Sequence, residues 1–256
     1  MSIHALRARV ESSLAGRIAA PFAYRDRRIV NTVSSGIPEI DQLAGGLPRG
    51  GVTEICGPPC SGRTSVLLAA LAARTAQAEA CALVDGRDCF DPQAAKAAGV
   101  RLEQLLWVRC ENIEQALHAT DLLLRGGGFG LVALDLADID PRTVRGVQLN
   151  TWFRFRRAVE NTPSILLLIE QESNAKTCAS LVLGLSSEPA RWAPECSSEA
   201  SLSWTRLLGG FGVRAAMVHV RIQAAQEIVF PGASPQRAVP GIFETRTEWS
   251  VLAETG

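Results

Sequence analysis

The stretch "CGPPCSGRTS", Cys56 to Ser65, decides how this sequence folds. Gly57, Gly62, Thr64 and Ser65 fall where a phosphate-cradling loop of the form G-x-x-x-x-G-K-[ST] requires them. Arg63 stands where that loop has lysine. The glycines let backbone approach an anion closely, and successive N–H groups at a helix start would face it. Within this loop the expected nucleotide-contacting positions are Gly57, Ser61, Gly62, Arg63, Thr64 and Ser65, with the Thr64 hydroxyl directed at Mg²⁺.

Outward from the loop the chain alternates between two kinds of segment. "VTEIC" before it reads as a short apolar strand, and "GRTSVLLAALAARTAQAEA" after it has the alanine and leucine content of a helix. "CALVD", "LLWVRC", "LVALDL" and "SILLLIE" read as further strands. "PQAAKAAG", "ENIEQALHATDLLLRGGG" and residues 141–160 read as helices between them. This alternation predicts parallel βαβ units in an α/β sheet flanked by helices. The runs "LVLGL", "AAMVHVRI" and "EIVF" lack intervening helices and are expected as antiparallel strands added C-terminally at one edge. "SSGIPEIDQLAGGLPRG" reads as turns, and 186–203 as a long polar loop. "LVALD" also places Asp135 at the carboxyl end of a strand, where it would meet the water shell of a metal ion.

Composition narrows the setting. Lys+Arg and Asp+Glu are equal at 26 each, so no net charge draws the chain to nucleic acid. Seven cysteines are scattered, several inside apolar runs, and read as small core residues in a reducing cytoplasm. Cys56 and Cys60 lack a second pair or nearby histidine, so no metal site is expected. No signal-peptide core or membrane-spanning run is apparent, and the expected location is cytoplasmic.

The stretch "GIPEIDQLAGGLPRGGVTEICGPPCSGRTS", continued by "ALVDGRDCFDPQAAKAAGVRLEQLLWV", resembles the RecA recombinase core. "GLVALDL" is similar to its second nucleotide motif. "LLLIEQES" is similar to its strand ending in a γ-phosphate-sensing glutamine, here Gln171. The resemblance spans roughly residues 31–186. It implies a RecA-like P-loop core there, an N-terminal helix and arm over 1–30, and strands and loops over 187–256 completing the same domain.

The departures are as informative. The catalytic glutamate of RecA proteins falls at Arg87, and neither Asp85 nor Asp88 is in register to replace it. A permanent cation cannot act as a base. Arginine is also a wider, planar substitute for the loop lysine. The segments matching the two DNA-binding loops are short. The pattern resembles the ImuA-type proteins, shortened RecA relatives of bacterial mutagenesis cassettes. That resemblance implies an accessory, non-enzymatic role in damage-induced (SOS) translesion synthesis. The implied partners are an ImuB-type polymerase-like protein and an error-prone polymerase, with RecA as a further one. No catalytic residue and no required cofactor are expected; ATP with Mg²⁺ is the ligand the loop would take if it still binds one. The alternatives are an active ATPase that remodels a RecA filament and a damage-induced inhibitor of cell division.

If catalysis is lost, surfaces carry the work. Ile3, Leu6, Val10, Leu14 and Ile18 form one helical stripe, suited to a partner, to self-association or to the chain's own domain. Trp192 is a second candidate anchor. "WFRFRRAV" brings Arg154, Arg156 and Arg157 among aromatics, a combination that grips single-stranded DNA. On a helix the same spacing places aromatics in the core and arginines in water, and that is the expected arrangement.

Overall fold

The computed structural model describes residues 31–192, 208–220 and 241–246. The Ile3–Ile18 stripe, the strand expected at "EIVF" and the remainder of 1–30 lie outside those residues. Among the described residues, eight strands form one sheet. Its order is β10 (Gly241–Arg246), β9 (Leu208–Val220), β8 (Leu181–Trp192), β3 (Gly51–Cys56), β7 (Ile165–Glu170), β6 (Leu131–Asp135), β4 (Cys81–Asp85) and β5 (Leu105–Arg109). A two-stranded ribbon, β1 (Thr32–Val33) with β2 (Leu47–Pro48), precedes it. This is the expected α/β, RecA-like core, a mostly parallel sheet flanked by helices with antiparallel strands following.

One edge differs from expectation. β8 is parallel to β3, so it extends the parallel sheet; the antiparallel additions are β9 on β8 and β10 on β9. The ten residues after β7 reverse the chain without a long helix, and Ser180 N–H donates to the Val52 carbonyl to start β8 in register. The residues expected to open a polar loop, Ser186 to Trp192, are strand. Their pairing with β9 satisfies the backbone that a loop would leave to water.

Alternation along the central strands supplies both faces with side chains. Ile165, Leu167 and Ile169 of β7 face one apolar layer, and Leu166 and Leu168 the other. The first layer is covered by α1 (Pro38–Ala44), α2 (Arg63–Thr75) and α3 (Pro92–Ala97) through Ile40, Val66, Leu67, Leu71 and Ala95. The second is covered by α4 (Ile113–Gly126), α5 (Pro141–Arg145) and α6 (Leu149–Val159). There Ala116, Val144, Trp152 and Phe155 meet β6 and β7.

Two helix boundaries depart from the sequence reading. The single helix expected over 141–160 is divided, because α5 closes at Gly146 and α6 begins at Leu149. Inside the stretch read as turns, α1 forms instead. Pro38 occupies its first turn, Gly45 ends it at φ 74°, and Asp41 accepts from Ser34 Oγ and the Ser35 N–H. No helix among the described residues is long and apolar enough to cross a membrane.

Candidate phosphate-loop site

Parallel pairing sets the ends of four strands in line. Cys56 is opposite Glu170, and Asp85 is opposite Asp135. Ligands of open α/β sheets bind beyond such carboxyl ends. The loop from Gly57 to Gly62 leaves β3 here and delivers the chain to α2. Cys60 and Gly62 hold left-handed backbone, at φ 61° and 90°. The first N–H groups of α2 have no intrahelical acceptor and face the loop. A cavity of about 510 Å³ lies between the loop, at Cys60 to Ser65, and the β8–β9 ribbon, at Glu188, Ala190, Phe211 and Val213. The ribbon presses close: a Cβ on Gly62 would stand 2.6 Å from a Val213 methyl. Glycine is therefore required where the loop turns.

The side chains of the loop are arranged less conventionally. Arg63 is buried, at 8% exposure, and its Nη1 has no hydrogen-bond partner among the described residues. Ser61 Oγ is likewise buried and unpaired, whereas Thr64 is exposed. Burial pushes the pKa of Arg63 down, and the carboxylates of Asp135 and Asp138 oppose that shift. Asp135 in turn is pushed up to about 6, chiefly by burial. The Ala137 N–H and Arg63 pull it back, while Asp138 and Asp85 add repulsion. Arg63 thus lies in the field of the acids at and just after the end of β6. Gln171, the expected sensor, donates from Nε2 to the Ala137 carbonyl at 2.9 Å, which ties the end of β7 to that same turn.

The acids beside Arg87 have other partners. Asp85 accepts from the N–H groups of Arg87, Cys89 and Phe90 and from Trp107 Nε1. Its carboxylate is therefore the hub of the 86–90 turn. Asp88, at φ 58°, pairs with Arg109. Arg87 itself is exposed.

Beneath the site lies a pair the sequence reading missed. Glu54 and Glu170 are both fully buried, on adjacent strands. Glu54 accepts from Ser173 Oγ at 2.7 Å and from the N–H groups of Asn174 and Ala175. Asn174 Nδ2 donates to Glu170 Oε2 at 2.6 Å. Burial first, then the charge of Glu54, pushes the Glu170 carboxyl up to about 8. The available signal was an acid inside each of two otherwise apolar strands, "VTEIC" and "LLLIE". Cys56, next to this pair, is pushed up to about 11 by burial and by the two glutamates, which makes it a poor nucleophile at neutral pH. Cys81, Cys110 and Cys178 are also buried, while Cys60 and Cys89 are exposed. Among the described residues no group of three His, Cys, Asp or Glu is placed to hold a metal.

The aromatics and arginines of α6 divide as the helical spacing predicts, with one aromatic as the exception. Trp152 and Phe155 are buried against each other, at 6.0 Å between ring centroids. Arg154 and Arg157 are exposed and Arg156 half-buried. Phe153 is the exception, 40% exposed. Trp192 ends β8, and its side chain lies outside the described part.

A glycine-rich loop between a central parallel strand and a helix, with an aspartate ending a strand nearby, defines a phosphate-loop α/β domain. The chain belongs to the RecA N-terminal domain family, whose profile matches residues 9–146, more than half of its length. It is 40% identical over 118 residues to Protein RecA of Psychrobacter cryohalolentis, covering 46% of this chain and 33% of that one. Against Protein RecA of Deinococcus radiodurans it is 39% identical over 116 residues, 44% of this chain and 32% of the relative. Against the chloroplastic DNA repair protein recA homolog 1 of Arabidopsis thaliana it is 40% identical over 116 residues, 44% and 26% of the two chains. The chain thus spans about a third or less of the length of the curated relatives it matches.

Proposed function

We propose that this chain is a RecA-fold accessory protein of the ImuA type, a protein-binding module in damage-induced translesion synthesis that does not turn over ATP. One observation carries the reading: arginines stand at the loop-lysine position and at the position the RecA resemblance gives to the water-activating acid, and the two acids flanking Arg87, Asp85 and Asp88, are held by other partners. Arg63 is buried beside Asp135 and Asp138, and Asp85 is spent on four donors. Efficient phosphoryl transfer needs a positioned nucleophile and a cation on the β/γ-phosphates. Arg87 is exposed and cannot act as a base, and the buried Arg63 guanidinium already lies in the field of Asp135 and Asp138. Work then falls to surfaces, through an ImuB-type protein, an error-prone polymerase and RecA as partners.

Deleting the gene tests the role. The damage-induced mutation frequency falls to its uninduced level, while homologous recombination is unchanged. A loss of recombination with mutagenesis intact contradicts the proposal.

A second reading has its own support, since the backbone cradle, the exposed Thr64 and Asp135 are all retained. In it the chain is an ATPase acting on a RecA filament, with the acid supplied by a partner. DNA-stimulated turnover that disappears in Asp135→Ala would favour it.

A further inference from the structure

The outer surface of α4 and α6 carries features that neither the phosphate loop nor the core explains. Leu122 on α4 is 57% exposed, and on α6 Leu149 is 44% and Phe153 40% exposed. Leu149 and Phe153 are four residues apart and so share one helical face, with Arg157 next along it. The two helices are tied together by Asp121, which accepts from Arg154 Nε at 3.0 Å and pairs with Arg125 at 3.1 Å. Leu122 and Phe153 are the immediate chain neighbours of that bridge. Over residues 141–159 there are five arginines and no acid. Arg145 is paired with Glu172 and Arg154 with Asp121. Arg142, Arg156 and Arg157 make no ion pair among the described residues. Arg156 and Arg157 suit the negative end of α6. That accounts for their charge and leaves the exposed Leu and Phe unexplained.

We propose that this face docks an acidic amphipathic helix of a partner protein, its apolar residues on Leu122, Leu149 and Phe153 and its carboxylates on Arg156 and Arg157. Charge complementarity selects the occupant: Asp121 is already taken up by Arg125 and Arg154, and Arg156 and Arg157 make no ion pair among the described residues, so the face has arginine to offer a segment rich in Asp and Glu. Apolar groups spaced by one helical turn match a partner with the same spacing. Single-stranded DNA fits less well: stacking needs several open rings, and Trp152 and Phe155 are buried while Leu122 and Leu149 are aliphatic. A second copy presenting the same face would set arginine against arginine.

The test places a photo-crosslinking phenylalanine analogue at position 153 of the full chain in its own cell, with Glu39, exposed on α1 at the other side of the sheet, as the control position. The expected product is a cross-link to a protein segment rich in Asp and Glu with apolar residues three and four apart. A synthetic copy of that segment binds the purified protein and loses about tenfold in affinity, or more, to Phe153→Asp. The double change Arg156→Glu and Arg157→Glu, which leaves the apolar core untouched, gives a comparable loss. Cross-links to DNA, to a second copy or to a basic or neutral segment overturn the proposal. So does a yield no higher than at Glu39, or a synthetic segment whose binding both variants leave unchanged.

Discussion

Replacing Glu54 with alanine lowers the unfolding free energy by about 3 kcal/mol and loosens the turn that follows β7. Three donors converge on this one carboxylate: Ser173 Oγ and the N–H groups of Asn174 and Ala175. Asn174 and Ala175 are buried, so their N–H groups have no ready exchange of partner with water. Each orphaned buried donor costs about 1–3 kcal/mol. Urea unfolding measures the total. Hydrogen exchange at Asn174 and Ala175 shows whether the turn is pinned from Glu54, since those two amides lose protection ahead of the β7 amides. Glu54→Gln keeps an acceptor for one or two of the donors and gives a smaller loss.

Replacing Glu170 with glutamine changes how stability depends on pH. In the folded chain its carboxyl titrates near 8, against an ordinary 4.5. Between those values the unfolded chain has released a proton that the folded chain still holds, so stability falls as pH rises across the window. The contribution is fully present below about 4.5 and is lost by about 8. Asp135, raised from 3.8 to about 6, has the same sign over a lower window. In Glu170→Gln the decline between about pH 6 and 8 disappears, the decline attributable to Asp135 below pH 6 persists, and the variant is more stable than the parent at pH 8. Thermal melts in overlapping buffers decide the matter. A parent protein whose stability is flat from pH 6 to 8 contradicts the assignment.

Local signals made the parallel core legible. The strand runs "CALVD" and "LVALD" are short, apolar and separated by helix-forming segments, and the loop at Cys56–Ser65 fixes the polarity of β3 and α2. The direction of β8 was not legible, because "LVLGL" has the same composition whether it runs with or against β3. Only the ten-residue return after β7, closed by the Ser180 bond to Val52, decides it. At the site, the sequence placed Gly57, Gly62, Asp135 and Gln171 near one another. It could not show that Arg63 is buried beside Asp135 and Asp138, or that Asp85 is saturated by backbone donors, since both depend on side-chain direction. Glu54 and Glu170 lie 116 positions apart and become partners only through strand pairing. Phe153 was hidden among aromatics whose neighbours, Trp152 and Phe155, do face the core.

The most direct test of the central claim is steady-state hydrolysis of Mg–ATP by the purified chain, with and without single-stranded DNA, beside an authentic RecA. With arginine at both 63 and 87, turnover stays at the level of the Asp135→Ala variant under every condition. DNA-stimulated hydrolysis at the rate of the RecA control, abolished in Asp135→Ala, would contradict the account and establish the chain as an enzyme.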